Sequence, residues 1–269
     1  MFAFEQCIRS CVPCLMHCLI NGLVERKVVR VPRPHSVANL LNFEMKRAGQ
    51  NVLLVYGDSN GAGYPHNSRT PSVGDASWPQ LLGKALVANG IENWIVHNDS
   101  VPGRSLAGES SAKDQFVRLI AQHQNKVQTP RLILVLALGT NDLSYETTAT
   151  QIIEEINWYV SVCREKRSDA DILYVTHPGI IHTRLAGFWE RKFKGKKALE
   201  QEVHELLSKV ECTVLDSRCL GVDIVGDDGL HFTHTGHTAM MQFIYPHVSK
   251  LILSERDLHT CKETQNLVQ

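Results

Sequence analysis

The sequence predicts an α/β protein: a parallel β-sheet flanked by helices. Three observations carry this. Short β-rich runs are almost continuously apolar, as strands become when both of their faces are covered. Longer stretches of helical periodicity separate them. Strand plus helix recurs about every 40 residues from residue 51 onwards, the rhythm of βαβ units.

The elements follow in order. "NVLLVYG" (51–57) reads as a buried strand, and so do 93–99, 131–139, 171–178 and 212–216. Between and after them, helical patterns run through 78–90, 110–127, 147–167, 190–209 and 235–254. In such sheets ligands bind outside the carboxyl ends of the strands. Three polar clusters fall there: Gly57-Asp58-Ser59-Asn60, Asn98 through Gly103, and Gly139-Thr140-Asn141-Asp142.

Composition narrows the function. The 269 residues include 43% hydrophobic and 21% charged residues, which suits one globular α/β domain with extensions. Lys plus Arg and Asp plus Glu both number 28, so the chain lacks the basic excess a nucleic-acid binder uses to neutralise phosphates. No stretch reaches the roughly 18–20 apolar residues that span a bilayer. The N-terminus makes a poor signal peptide, because Glu5 sits where a basic region belongs and His17 and Asn21 interrupt the apolar run. A cytoplasmic protein is expected, the alternative being membrane association through residues 1–25.

Residues 1–50 form a separate extension and linker before a domain over 51–255, with a tail at 256–269. Cys7, Cys11, Cys14 and Cys18 would share one face of a helix, which Pro13 disturbs unless it lies in the first turn. A helix packing on the main domain or a partner is the first expectation. Membrane contact, helped by acylation of these thiols, is the alternative. A metal site is the third reading, weakened because the spacing lacks two separated CxxC pairs. The other four cysteines, Cys163, Cys212, Cys219 and Cys261, read as reduced and at least partly buried.

Gly57 through Gly61 also match G-x-S-x-G, the nucleophile elbow of α/β-hydrolases. A serine needs a base within hydrogen-bond reach and a group that orients the base. Asp228-Gly229-Leu230-His231 supplies both. A carboxylate three residues before an imidazole can reach Nδ1 through a tight turn that Gly229 permits, leaving Nε2 as base. Asp227 is the second choice of acid. Oxyanion donors are expected from Ser59 N–H, Gly103 N–H and the Asn141 amide. Each residue has a plainer reading: Gly103 as a strand terminator, Asn141 and Asp142 as a helix cap, His231 as a surface histidine. Their conjunction at strand ends favours chemistry. Asp58 and Asp142 read as buried braces. His234 and His237 read as the start of the last helix, and no metal is expected without carboxylate or thiol ligands beside them. The elbow reading weakens, because the serine follows the first strand and acid and base lie together near the C-terminus.

Four blocks in order resemble the SGNH hydrolases, the GDSL-type esterase/lipase superfamily. These are "YGDSNGAG" (56–63), "NDSVPGRSL" (98–106), "LGTNDL" (138–143) and "DGLHFTHTGH" (228–237). The likeness spans roughly residues 50–254. "ASWPQLLGKAL", "GRS", "VTHPGI" and "KKALEQEVHELL" resemble the arylesterase and acyl-CoA thioesterase branch. The resemblance implies a three-layer α/β/α sandwich, flavodoxin-like, with five parallel strands and no cofactor. It implies a serine esterase acting on a small-molecule ester, of short acyl or aryl type, or a thioester, through an acyl-enzyme on Ser59. Asp228 and His231 complete the triad, and Ser59, Gly103 and Asn141 form the oxyanion hole. The alternative is a carbohydrate O-acetyl esterase or acyltransferase on the same triad. Asn60 stands where the superfamily usually has Leu, and is expected to polarise the pocket wall. Arg69, Arg104 and Arg184 are candidates for an anionic substrate group. Trp78, Phe188 and Trp189 are candidates to flank the acyl chain, with core packing favoured for Trp78.

Overall fold

A computed structural model of the chain describes residues 49–64, 76–108 and 112–254. The cysteine-bearing helix expected in residues 7–18, Arg69, Cys261 and the tail 256–269 lie outside these residues.

Five strands form one sheet: β1 (Asn51–Gly57), β2 (Trp94–Ser100), β3 (Leu132–Ala137), β4 (Asp171–Val175) and β5 (Thr213–Leu215). All neighbours pair in parallel, in the order β2-β1-β3-β4-β5. The helices are α1 (Ser59–Ala62), α2 (Trp78–Ala88), α3 (Lys113–Gln122), α4 (Ala149–Lys166), α5 (Gly187–Phe193), α6 (Lys197–Glu205) and α7 (His234–Leu253).

Side-chain alternation along β1 divides the core in two. Val52, Leu54 and Tyr56 pack with Phe116 and Ile120 of α3 and with Ile156 and Tyr159 of α4. Leu53 and Val55 face the other way, onto Leu82 and Leu86 of α2 and Ile244 and Val248 of α7. This is the three-layer α/β/α sandwich that the resemblance implies. Each fully buried aliphatic side chain contributes on the order of 1.5–3 kcal/mol. A one-residue slip of β1 would swap both sets at once, so its register is strongly specified. Register places the carboxyl ends of three strands side by side, with Gly57 opposite Ser100 on β2 and Ala137 on β3.

Some boundaries differ from the sequence expectation. The helix expected at 190–209 is two helices, α5 and α6, because Gly195 between them takes a left-handed φ of 72°. The expected strand 131–139 stops at Ala137, and Gly139 at φ 113° turns the chain so that Thr140 and Asn141 leave the sheet. The expected strand 171–178 stops at Val175, short of Pro178.

Cys163 is buried and Cys212 half-buried, as expected, whereas Cys219 is exposed. Among the described residues no helix is long and apolar enough to cross a membrane.

Candidate active site

Ser59 opens α1 directly after β1. Asp58 holds that turn: it is extended at φ −103°, and its carboxylate accepts the Asn60 N–H at 2.9 Å, as a helix N-cap does. Asp58 also takes a hydrogen bond from the Thr140 side chain, which ties the end of β1 to the loop after β3. Burial pushes its carboxyl up to about 6. Gly61 is not the elbow glycine of another fold but has a local reason. A methyl group there would overlap the Ser100 side chain of β2.

The acid and base sit on one tight hairpin between β5 and α7. Val225 and Phe232 form an antiparallel bridge, Gly226 N–H donates to His231 O at 2.7 Å, and Thr233 N–H donates to Ile224 O at 2.9 Å. Asp228 and Gly229 make the tip. Gly229 has φ 74°, a conformation that L side chains rarely adopt. Asp228 Oδ1 accepts the N–H groups of Leu230 and His231, each at 2.9 Å, and Oδ2 lies 2.6 Å from His231 Nδ1. Burial pushes the Asp228 carboxyl up. The imidazole and these N–H groups outweigh that and hold it below the usual carboxylate range.

His231 Nε2 lies 2.9 Å from Ser59 Oγ, across 172 positions of sequence. Asp228, His231 and Ser59 are thus in line, with His231 and Ser59 both buried. Asp227 is exposed and plays no part in this line.

The expected oxyanion donors come from neighbouring loops. Asn141 precedes a short 3₁₀ turn at Asp142–Ser144, yet its side chain does not cap that turn. Its Nδ2 donates instead to Arg104 O at 2.9 Å, beside Gly103. Asp142 accepts the N–H groups of Leu106 and Ala107 at 2.8 and 3.1 Å, and burial pushes its carboxyl up to about 6. Arg104 is buried beneath this loop. It donates to Gly57 O and to Asp99, and it lies 3.9 Å over the Tyr56 ring. Arg104 therefore staples the Gly103 loop to the end of β1 and is buried rather than turned outward. Gly103 itself is exposed at the loop crest, with φ 80°.

Asn60 corrects another expectation. It is 6% exposed and turned inward: Nδ2 donates to Leu230 O at 3.3 Å and Oδ1 accepts Phe232 N–H at 3.0 Å. His177 Nε2 reaches the same Leu230 O at 2.8 Å. The signals were present in the sequence: a polar residue at a position usually apolar, and an imidazole at the end of a buried strand.

Aromatic side chains edge the site. The Tyr64 ring lies 4.9 Å from the His231 ring and Trp189 lies 5.8 Å from it, with Phe188 4.9 Å beyond Trp189. Tyr64 carried no sequence signal; its N–H bonds Ser59 O at 2.9 Å where α1 ends, and its ring stands against that of His231. Trp78 is core, as expected, and its N–H donates to His237 Nδ1 at 3.3 Å, so His237 serves the start of α2. Arg184 is exposed and donates to Val225 O behind the hairpin.

A three-layer α/β/α sandwich with serine, imidazole and carboxylate in line at the carboxyl ends of its strands defines an SGNH-type α/β hydrolase. The profile of the GDSL-like lipase/acylhydrolase family matches residues 55–239, and the chain belongs to that family and is a carboxylic ester hydrolase. Solved structures share the fold. The Mycobacterium smegmatis aryl esterase is 19% identical, with a TM-score of 0.57 over 75% of this chain and 99% of that one. Est24, a carbohydrate acetylesterase from Sinorhizobium meliloti, is 17% identical, with a TM-score of 0.58 over 76% and 99%. The psychrotrophic esterase EstA from a Pseudoalteromonas species is 15% identical, with a TM-score of 0.51 over 76% and 99%. No curated protein sequence matches the chain.

Proposed function

We propose that this chain is a serine esterase that hydrolyses small carboxylic esters, of short acyl or aryl type, through an acyl-enzyme on Ser59. The observation that carries the reading is the line Ser59 Oγ–His231 Nε2–Asp228, at 2.9 and 2.6 Å. His231 Nε2 takes the Ser59 proton as Oγ attacks the acyl carbon. The N–H groups of Ser59 and Gly103 and the Asn141 amide receive the charge that develops on the carbonyl oxygen. The alcohol leaves with the proton from His231, and water, deprotonated by His231, releases the acid. Asp228 stays ionised throughout, fixes the tautomer and stabilises the imidazolium.

The open aromatic rim of Tyr64, Trp189 and Phe188 favours an aryl or short acyl group laid against it. Similarity to an aryl esterase and to a carbohydrate acetylesterase makes acetylated sugars the class to compare. The test is a hydrolysis panel of p-nitrophenyl acetate through laurate, an acyl-CoA and acetylated sugars, on wild type and Ser59→Ala. Short aryl esters are expected to be the best substrates, with kcat at least about a thousand-fold lower in Ser59→Ala. Wild-type turnover by that variant would end the proposal.

A further inference from the structure

We infer that Asn60 and His177 are positioning residues that hold the main chain on both sides of His231, and so set the distance between base and nucleophile. This rests on the serine-esterase reading above.

The geometry is a short closed loop. Asn60 is bonded covalently to Ser59. Leu230 and Phe232 are bonded covalently to His231. The Asn60 amide spans the two, donating to Leu230 O and accepting from Phe232 N–H. Only one orientation of the amide makes both bonds. Nucleophile and base are thus linked by one side chain, independently of the Ser59–His231 bond itself. Leu on this position, as in the superfamily pattern, would make neither link.

His177 adds a second donor on Leu230 O. Its Nδ1 accepts Gly179 N–H at 3.1 Å, so the ring proton sits on Nε2 and is given to that carbonyl at 2.8 Å. The ring also stacks on Phe232 at 5.5 Å and 14°. Burial holds the imidazole down at about 4, so it stays a neutral donor at working pH.

Three further backbone groups of the segment are held as well. Leu230 N–H and His231 N–H go to Asp228, and His231 O accepts Gly226 N–H. Releasing the clamp therefore frees the one part of the hairpin that faces the nucleophile. A displacement of about 1 Å between reacting groups costs roughly a hundred-fold.

The experiment compares Asn60→Leu, His177→Phe and His177→Gln with wild type, using p-nitrophenyl acetate and counting active sites with a fluorophosphonate that labels Ser59. Asn60→Leu and His177→Phe are expected to lower kcat per labelled site by about ten- to a hundred-fold with KM within about threefold. His177→Gln keeps a donor near Leu230 O and should recover most of the loss. The double variant Asn60→Leu/His177→Phe should lose less than the product of the two single losses, because both donors serve one carbonyl. A role confined to stability would lower the melting temperature and the labelled fraction but leave kcat per labelled site unchanged. That outcome, or equal kcat in His177→Phe and His177→Gln, overturns the inference. Should Asn60→Leu fail to fold, the His177 pair decides alone. A Ser59→Ala variant run alongside separates the two readings: full activity there defeats the esterase mechanism, whereas an inactive Ser59→Ala with unaffected clamp variants defeats only the clamp.

Discussion

Gly229 and Ile181 meet backbone to backbone. Ile181 N–H donates to Gly229 O at 2.9 Å, and a β-carbon on Gly229 would stand 2.6 Å from Ile181 O. The turn that carries the acid is therefore pinned to the loop after β4 and has no room for a side chain. Gly229→Ala meets two penalties, a left-handed φ and an overlap with rigid backbone. A loss of about 2–4 kcal/mol in stability is expected, together with lower kcat because Asp228 shifts. Thermal unfolding and kcat per titrated site check both.

The acid is assigned by contact. Asp228→Asn keeps shape but favours the wrong imidazole tautomer, so kcat should fall about ten-thousand-fold. Asp227→Asn, one residue away and exposed, should stay within a few-fold. Steady-state kinetics on the pair provide the comparison, and the reverse order would reassign the acid.

Asn141→Ala removes the proposed oxyanion donor and the bond that holds Arg104 O. A fall in kcat of about a hundred- to a thousand-fold is expected, with KM nearly unchanged. An equal loss in KM would instead indicate a substrate-binding role.

The Trp189 ring faces His231, and Phe188 is 54% exposed beside it. Trp189→Ala should raise KM for aryl esters by up to about tenfold while changing kcat little, since aromatic pairs are worth roughly 0.5–1.5 kcal/mol beyond area. Paired KM values for phenyl and ethyl acetate give the readout.

His177 makes folding sensitive to acid. Its value in the fold, about 4, lies below the ordinary 6.5, so the unfolded chain binds the extra proton between those limits. The contribution of His177 is fully present above pH 6.5 and is lost as pH falls towards 4. His177→Gln lacks that titration. The melting temperature of wild type relative to this variant should therefore decline as pH drops from 7 to 4, as differential scanning fluorimetry across pH would record.

Much of the architecture was legible because burial on both faces writes a simple signature. Runs such as Leu53 through Tyr56 and Leu132 through Leu136 have no polar alternation, and they became central strands. Boundaries were less legible where one residue decides them, as at Gly139 and Gly195. The Asp228–His231 pair could be read because its contact is local, closed within one turn. Asn141 was ambiguous, since the start of a helical turn and an oxyanion donor ask for the same amide; its bond to Arg104 O shows that the side chain does not cap the turn. Arg104 was misplaced because its charge suggested substrate, whereas its burial serves the loop.

By itself the sequence determined the strand–helix rhythm, the parallel sheet, the order of the four blocks, and the pairing of Asp228 with His231. These depend on periodicity and on contacts a few residues apart. Only the tertiary structure decided that Asn60 grips both flanks of His231, that the Tyr64 ring stands against that of His231, and that Trp189 rather than an arginine borders the imidazole. Those contacts join residues separated by some 40 to 170 positions, and sheet register with hairpin geometry brings them together. Nothing in local pattern encodes which side chain will stand opposite another once the strands are laid side by side.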